Sequence, residues 1–134
     1  GDPECQVLMM RLENDLLDLI QSTVNNNLEK KEIEWNKKKS MTVVMCSKGY
    51  PGKYKKNIEI KNLENISNDK ENHVFHAGTF EKNGKIYSNG GRVLNVTSMS
   101  DNLISARDKL LQNIKKIDWP DSFYRKDIGW KFIK

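Results

Sequence analysis

Asn83-Gly84 lies between the strand-forming residues His73–Phe80 and Lys85–Ser88 and is the strongest short turn signal in the chain. A two-residue turn with positive φ at both positions suits Asn-Gly, and its twist matches the strands on either side, so this stretch is committed to a β-hairpin. The neighbouring segments extend the same character. Met41–Cys46 is rich in strand formers and ends at Ser47-Lys48-Gly49-Tyr50-Pro51-Gly52, where Gly and Pro force a loop. Ile58 and Ile60 alternate as in a short strand, and Arg92–Met99 predicts another after Gly90-Gly91.

The flanks are helical. Asp2 can cap a helix N-terminus and Pro3 suits the first turn, so Leu8, Leu12, Leu16, Leu19 and Ile20 predict one amphipathic helix over residues 3–22. A shorter helix is expected over Leu28–Trp35, before Lys37-Lys38-Lys39. Ser100 or Asp101 can cap a last helix whose apolar face runs through Leu103, Ile104, Leu110, Leu111, Ile114 and Ile117. The aromatic tail from Phe123 to Trp130 is expected to dock as a closing strand or loop. The fold class is therefore α+β, an antiparallel sheet packed with helices. The 134 residues suit one core, since a chain of this size buries about two thirds of its unfolded surface.

Composition narrows the function. The net charge of +5 comes almost wholly from Lys, with Arg only at positions 11, 92, 107 and 125. Recognition of phosphates and bases favours the planar guanidinium, so a scattered Lys surface argues against nucleic acid. No run approaches the roughly 18 apolar residues of a membrane helix, and no basic-then-apolar leader is present. A cytoplasmic chain with no membrane partner is expected. Cys5 and Cys46 are too few for a disulfide framework, and the sequons at Asn65 and Asn95 have no secretory context.

Gly90-Gly91-Arg92 sets two residues without Cβ beside a guanidinium, an arrangement that can let backbone approach an oxyanion while Arg92 grips it. A glycine bulge entering a strand, with Arg92 in a surface ion pair, fits the same residues. Ser47–Gly52 lacks the Gly-Lys-Ser/Thr ending of a nucleotide-phosphate loop, which leaves a channel-lining loop or a plain strand-ending turn. His73 and His76 are three apart, which in a strand sends them to opposite faces and removes them as ligands of one metal. Glu4 in a first helical turn is an acid favoured by the helix dipole.

Taken in order, Gly1-Asp2-Pro3-Glu4 with Gln6, Ser47–Gly52, Phe75-His76-Ala77-Gly78-Thr79, Asn89-Gly90-Gly91-Arg92-Val93-Leu94 and Tyr124–Gly129 resemble the C-terminal quarter or third of the phosphoribosylamine–glycine ligase family, ATP-grasp enzymes of purine synthesis. The resemblance implies that residues 1–38 are the helical end of an ATP-grasp domain and 39–134 the C-terminal α+β domain. It implies an ATP-dependent ligase that joins glycine to 5-phosphoribosylamine through a glycyl phosphate, giving glycinamide ribonucleotide, ADP and phosphate. ATP and Mg2+ (or Mn2+) would be bound mainly by a preceding portion of the enzyme, the expected partner, with the metal ligands lying ahead of Gly1. The chain, beginning at this motif without Met, is expected to be a fragment inactive by itself, with no catalytic residue assigned in it. By similarity Arg92, with Gly90 and Gly91, would meet the sugar phosphate. Glu4 would orient the glycine ammonium or a second-shell cation, and Lys48 would lie on the substrate channel. The competing expectation is a stand-alone basic module for RNA or an acidic protein.

Overall fold

The computed structural model describes residues 1–133. Its centre is a four-stranded antiparallel sheet of order β3-β6-β1-β7, formed by β1 (Lys39–Ser47), β3 (Asn72–His76), β6 (Arg92–Ser100) and β7 (Ser122–Tyr124). A second sheet of order β2-β5-β4 joins β2 (Glu59–Ile60), β4 (Thr79–Lys82) and β5 (Lys85–Ser88). The hairpin of β4 and β5 turns at Asn83-Gly84, with φ of 53° and 72°, as the dipeptide predicts. The segment 73–80 is two strands in two sheets and not one. The chain breaks at Ala77-Gly78, whose N–H groups both donate to Val93 O, and it leaves one sheet for the other there.

Alternation along β1 sends Met41, Val43 and Met45 to one face, opposite Ser98, Val96 and Leu94 of β6. Helix α3 (Leu103–Lys116) covers this face with Ala106, Leu110 and Ile114, and Val74, Ile60 and Ile66 complete the cluster. A Leu-sized side chain buried this way contributes about 1.5–3 kcal/mol, so this layer holds the fold together. The cap of α3 is Asn102, whose side chain accepts from Ser105 N at 2.8 Å, and not Ser100 or Asp101. Ser100 is still paired in β6, opposite Lys39, and so cannot start the helix. Strand β7 pairs with β1 and brings the aromatic tail onto the sheet, with Tyr124, Ile128 and Ile133 packed against the core.

The expected helix over 3–22 is two helices, α1 (Glu4–Arg11) and α2 (Leu16–Val24). Polar side chains make the break. Asp15 caps α2 by accepting from Leu17 N at 2.8 Å, and Asn14 bonds Glu34 N and Glu32 O. Such residues offer the backbone partners that compete with a continuing helix. The returning segment occupies the gap, and Glu13 N donates to Glu34 O. For the same reason 28–35 holds only a single 3-10 turn at Leu28–Lys30, and Trp35 forms an extended bridge to Leu12.

Candidate functional site

Helix α1 lies on the other face of the main sheet, along β1 and β6. A β-bulge decides what it meets there. Val44 pairs with Asn95 and Met45 with Leu94, but Cys46 pairs with Arg92, so β6 carries one residue more than β1. In a regular strand Arg92 and Asn95, three apart, would point to opposite faces. The extra residue turns both toward α1.

Both side chains converge on Asp2, in the turn that opens α1. Asn95 Nδ2 donates to Asp2 Oδ1 at 2.7 Å, and Gln6 Nε2, one helical turn on, donates to the same oxygen at 3.0 Å. Arg92 Nη2 stands 3.4 Å from Oδ2, and its Nη1 donates to the Asp2 carbonyl at 3.3 Å. Asn95 is fully buried, whereas the Arg92 side chain is 46% exposed. The guanidinium thus sits at the rim of the sheet with one edge on Asp2 and the other toward solvent.

Beside this cluster opens a cavity of about 370 Å³ lined by Pro3, Val44, Cys46, Tyr50, Phe123 and Tyr124, among others. Burial raises the Cys46 thiol pKa, and the charge of Arg92 across the ladder works against that shift. Gly91 is buried against the Tyr50 ring, which fills the space that a Cβ would take. Its carbonyl accepts from Ser47 N at 2.8 Å, and the Gly90 carbonyl accepts from Ser47 Oγ at 2.7 Å. Gly90 and Gly78 lie close enough that a Cβ on either would press on the other strand. Ser47–Gly52 and Ala77-Gly78 are therefore fastened to Gly90-Gly91 around one corner of the sheet.

The other candidates are dispersed. Glu4 is exposed in the first turn of α1. Lys48 opens onto a separate cleft with Lys53, Tyr54, Lys55 and Asp121. His76 Nδ1 lies 2.9 Å from Thr79 Oγ1, burial lowers its pKa, and the His73 ring packs on Phe75 at 4.4 Å. Among the described residues no three His, Cys, Asp or Glu side chains are grouped to hold a metal ion, and no helix is long and apolar enough to cross a membrane. Sequence reasoning missed Asp2 as the partner of both Arg92 and Asn95. An Asn inside the apolar run Val93-Leu94-Asn95-Val96 was the available signal, since a buried amide needs a partner.

The family described as "Phosphoribosylglycinamide synthetase, C domain" matches residues 40–131, from the start of β1 to the end of the docked tail. The chain belongs to this family. It is 45% identical over its whole length to the phosphoribosylamine–glycine ligase of Brucella melitensis, of which it covers 31%. It is 47% identical over 99% of its length to that of Agrobacterium fabrum, again covering 31%, and 44% identical to the chloroplastic ligase of Arabidopsis thaliana, covering 26%. The chain thus spans about a third or less of the curated relatives it matches. The crystal structure of the Thermotoga maritima phosphoribosylamine–glycine ligase superposes with a TM-score of 0.72 at 27% identity, over 95% of this chain and 30% of that one. The α+β fold is that of the family's C domain, and these relatives give no support to a stand-alone polyanion-binding module.

Proposed function

We propose that the chain is the C-terminal, substrate-facing domain of an ATP-dependent carbon–nitrogen ligase of the cytoplasm that joins glycine to 5-phosphoribosylamine. The reaction runs through a glycyl phosphate and gives glycinamide ribonucleotide, ADP and phosphate in purine synthesis. One observation carries this reading. The motif that opens the chain and the Gly-Gly-Arg strand some ninety residues later meet on the open face of the sheet, where a guanidinium keeps a free edge beside a cavity.

In this reading Arg92 holds the sugar phosphate through charge-assisted hydrogen bonds, and Gly90-Gly91 shapes the corner from which it reaches. Holding the phosphate fixes the distant amine, because an attacking amine mainly needs position. Glu4, exposed on α1, orients the glycine ammonium, and Lys48 serves the channel mouth. Residues 1–38 close the preceding ATP-grasp domain, and 39–134 form the C-terminal one.

The residues of this chain do not fit ATP or a metal. The Asp2 carboxylate already accepts from Asn95 and Gln6 and pairs with Arg92, and Ser47–Gly52 lacks the side chains of a phosphate loop. ATP and Mg2+ or Mn2+ belong to the preceding portion of the enzyme, which is the partner of this domain. The test combines this chain with the N-terminal two thirds of a relative such as the Brucella ligase and measures ADP release. Release that depends on both glycine and 5-phosphoribosylamine is expected from the combination and from neither part alone. A combination that associates stably yet releases no ADP under any substrate set counts against the reading.

A further inference from the structure

Asp2 has a place in the cluster that the proposed roles leave unexplained. Its Oδ1 receives two amide N–H groups, from Asn95 at 2.7 Å and Gln6 at 3.0 Å, so the carboxylate is anchored without help from Arg92. Arg92 is the looser member, at 3.3 and 3.4 Å from the carbonyl and the carboxylate of this one residue. The two amides donate to Asp2 while Asn95 Oδ1 and Gln6 Oε1 are buried without a partner among the described residues, so the carboxylate sets the orientation of both. The bulge in β6 is what makes the meeting possible, because it brings Arg92 and Asn95 to the same face.

We infer that Asp2 is a positioning residue, a fixed double acceptor that aims the Arg92 guanidinium so that its free edge presents two parallel N–H groups to a phosphate monoester. One Nη1 N–H donates to the Asp2 carbonyl and Nη2 stands in an ion pair 3.4 Å from the carboxylate, so N–H groups remain for a bidentate grip on the other edge. A long side chain that is 46% exposed would otherwise spread over many rotamers, and ordering it in advance removes that cost from binding. Asp2 does not touch the phosphate. Through Asn95 and Gln6 it ties the direction of the guanidinium to the central strand and to α1 together. This inference rests on the proposed role of Arg92.

The experiment uses the whole ligase carrying this domain and titrates ribose 5-phosphate, a stable sugar phosphate, by calorimetry. Asp2→Asn keeps the shape, removes the charge and sets an amide donor against donors. It is expected to weaken ribose 5-phosphate by about tenfold, while the KM values for glycine and ATP stay within about twofold. Arg92→Gln is expected to weaken it at least as much, and the double variant no further than Arg92→Gln alone, because the two residues act as one unit. Asp2→Asn binding as tightly as the parent, or tighter, overturns the inference, as do losses that multiply in the double variant. If Arg92→Gln weakens binding and Asp2→Asn does not, only the role of Asp2 falls. If Arg92→Gln binds like the parent, the role of Arg92 falls and this inference with it. Should Asp2→Asn give no soluble ligase, Asp2→Glu, which keeps the charge and displaces the carboxylate by one methylene, carries the same test on the same readouts.

Discussion

The two faces of the main sheet are built from the same two strands and do opposite work. Toward α3, the alternate residues of β1 and β6 are Met41, Val43, Met45, Leu94 and Val96, closed by a helix that buries Ala106, Leu110 and Ile114. Toward α1, the partners are Thr42, Cys46, Arg92, Asn95 and Thr97, tied by polar contacts such as Thr97 Oγ1 to Thr42 Oγ1 at 2.7 Å, and α1 buries none of its own residues. The first face is mostly apolar, with one buried polar relay in which Ser98 Oγ and Asn113 Nδ2 of α3 both donate to Asn72 Oδ1; the second is mostly polar, with a cavity at its edge. The difference teaches that pleat alternation separates stability from recognition within a single strand. The bulge at Met45/Cys46 is the device that enlarges the second set at the rim.

The sharpest way to break this division is to damage one face and measure the other. Leu110→Ala removes a fully buried side chain from the closed face and is expected to cost about 2–5 kcal/mol, read as a fall in the urea midpoint. Where the variant still folds, its affinity for sugar phosphate should be that of the parent. Arg92→Ala is the converse. In the whole ligase it should lower kcat/KM for 5-phosphoribosylamine by roughly 10- to 150-fold, the equivalent of about 1.5–3 kcal/mol, and move the urea midpoint little, since an exposed ion pair contributes about 1 kcal/mol or less. An unchanged kcat/KM removes Arg92 from the site. A large loss of stability makes it a structural residue and erases the distinction between the faces.

How much of this was legible beforehand follows the same line. The closed face was readable because burial leaves a period. Met41–Cys46, Arg92–Met99 and the stripe of α3 stand close to where alternation and helical spacing put them. The hairpin was readable from two residues, because Asn-Gly answers a local backbone demand. The open face was not. The bulge, the meeting of Asp2 with Asn95 and Arg92, and the break of the first helix at Asn14-Asp15 all depend on what is brought near in space, and no local period records them. Asp2 was read as a helix cap, yet its side chain serves residues on β6, and no side chain caps α1. Arg92 was named from its glycines and a resemblance, and those glycines turn out to face Tyr50, Ser47 and Gly78.

Gly91 is where the faces are least separable, so a substitution there sharpens the comparison. Adding a methyl group drives a Cβ into the Tyr50 ring, and overpacking of this kind costs about 1–3 kcal/mol. Tyr50 also walls the cavity, so Gly91→Ala should lower both the thermal midpoint and the affinity for ribose 5-phosphate. Combining it with Tyr50→Ala removes the clash, and the pair should be less destabilised than the sum of the two single variants. Strict additivity would mean that the ring simply swings away, and that the corner is softer than its hydrogen bonds to Ser47 suggest.

The smallest effect belongs to the polar rim of the closed face. Glu71 accepts from Lys109 of α3 at 2.6 Å and also pairs with Lys38, just before β1, so one carboxylate joins the last helix, the edge strand β3 and the entry to the sheet. The hydrogen bonds from Lys109 and then Lys38 pull its pKa from 4.5 down to about 2. A carboxyl whose pKa is lower in the folded state contributes stability that is fully present above its unfolded value, near 4.5, and is lost as the pH falls toward 2. About a third of the Glu71 side chain is exposed, so solvent and salt screen the gain. Glu71→Gln should therefore lower the urea midpoint slightly at pH 7 in low salt, by less in high salt, and hardly at all at pH 2, where about half of the carboxyl is protonated. A difference undiminished at pH 2 would mean that the glutamine packs badly and that the two lysines are not what holds this corner.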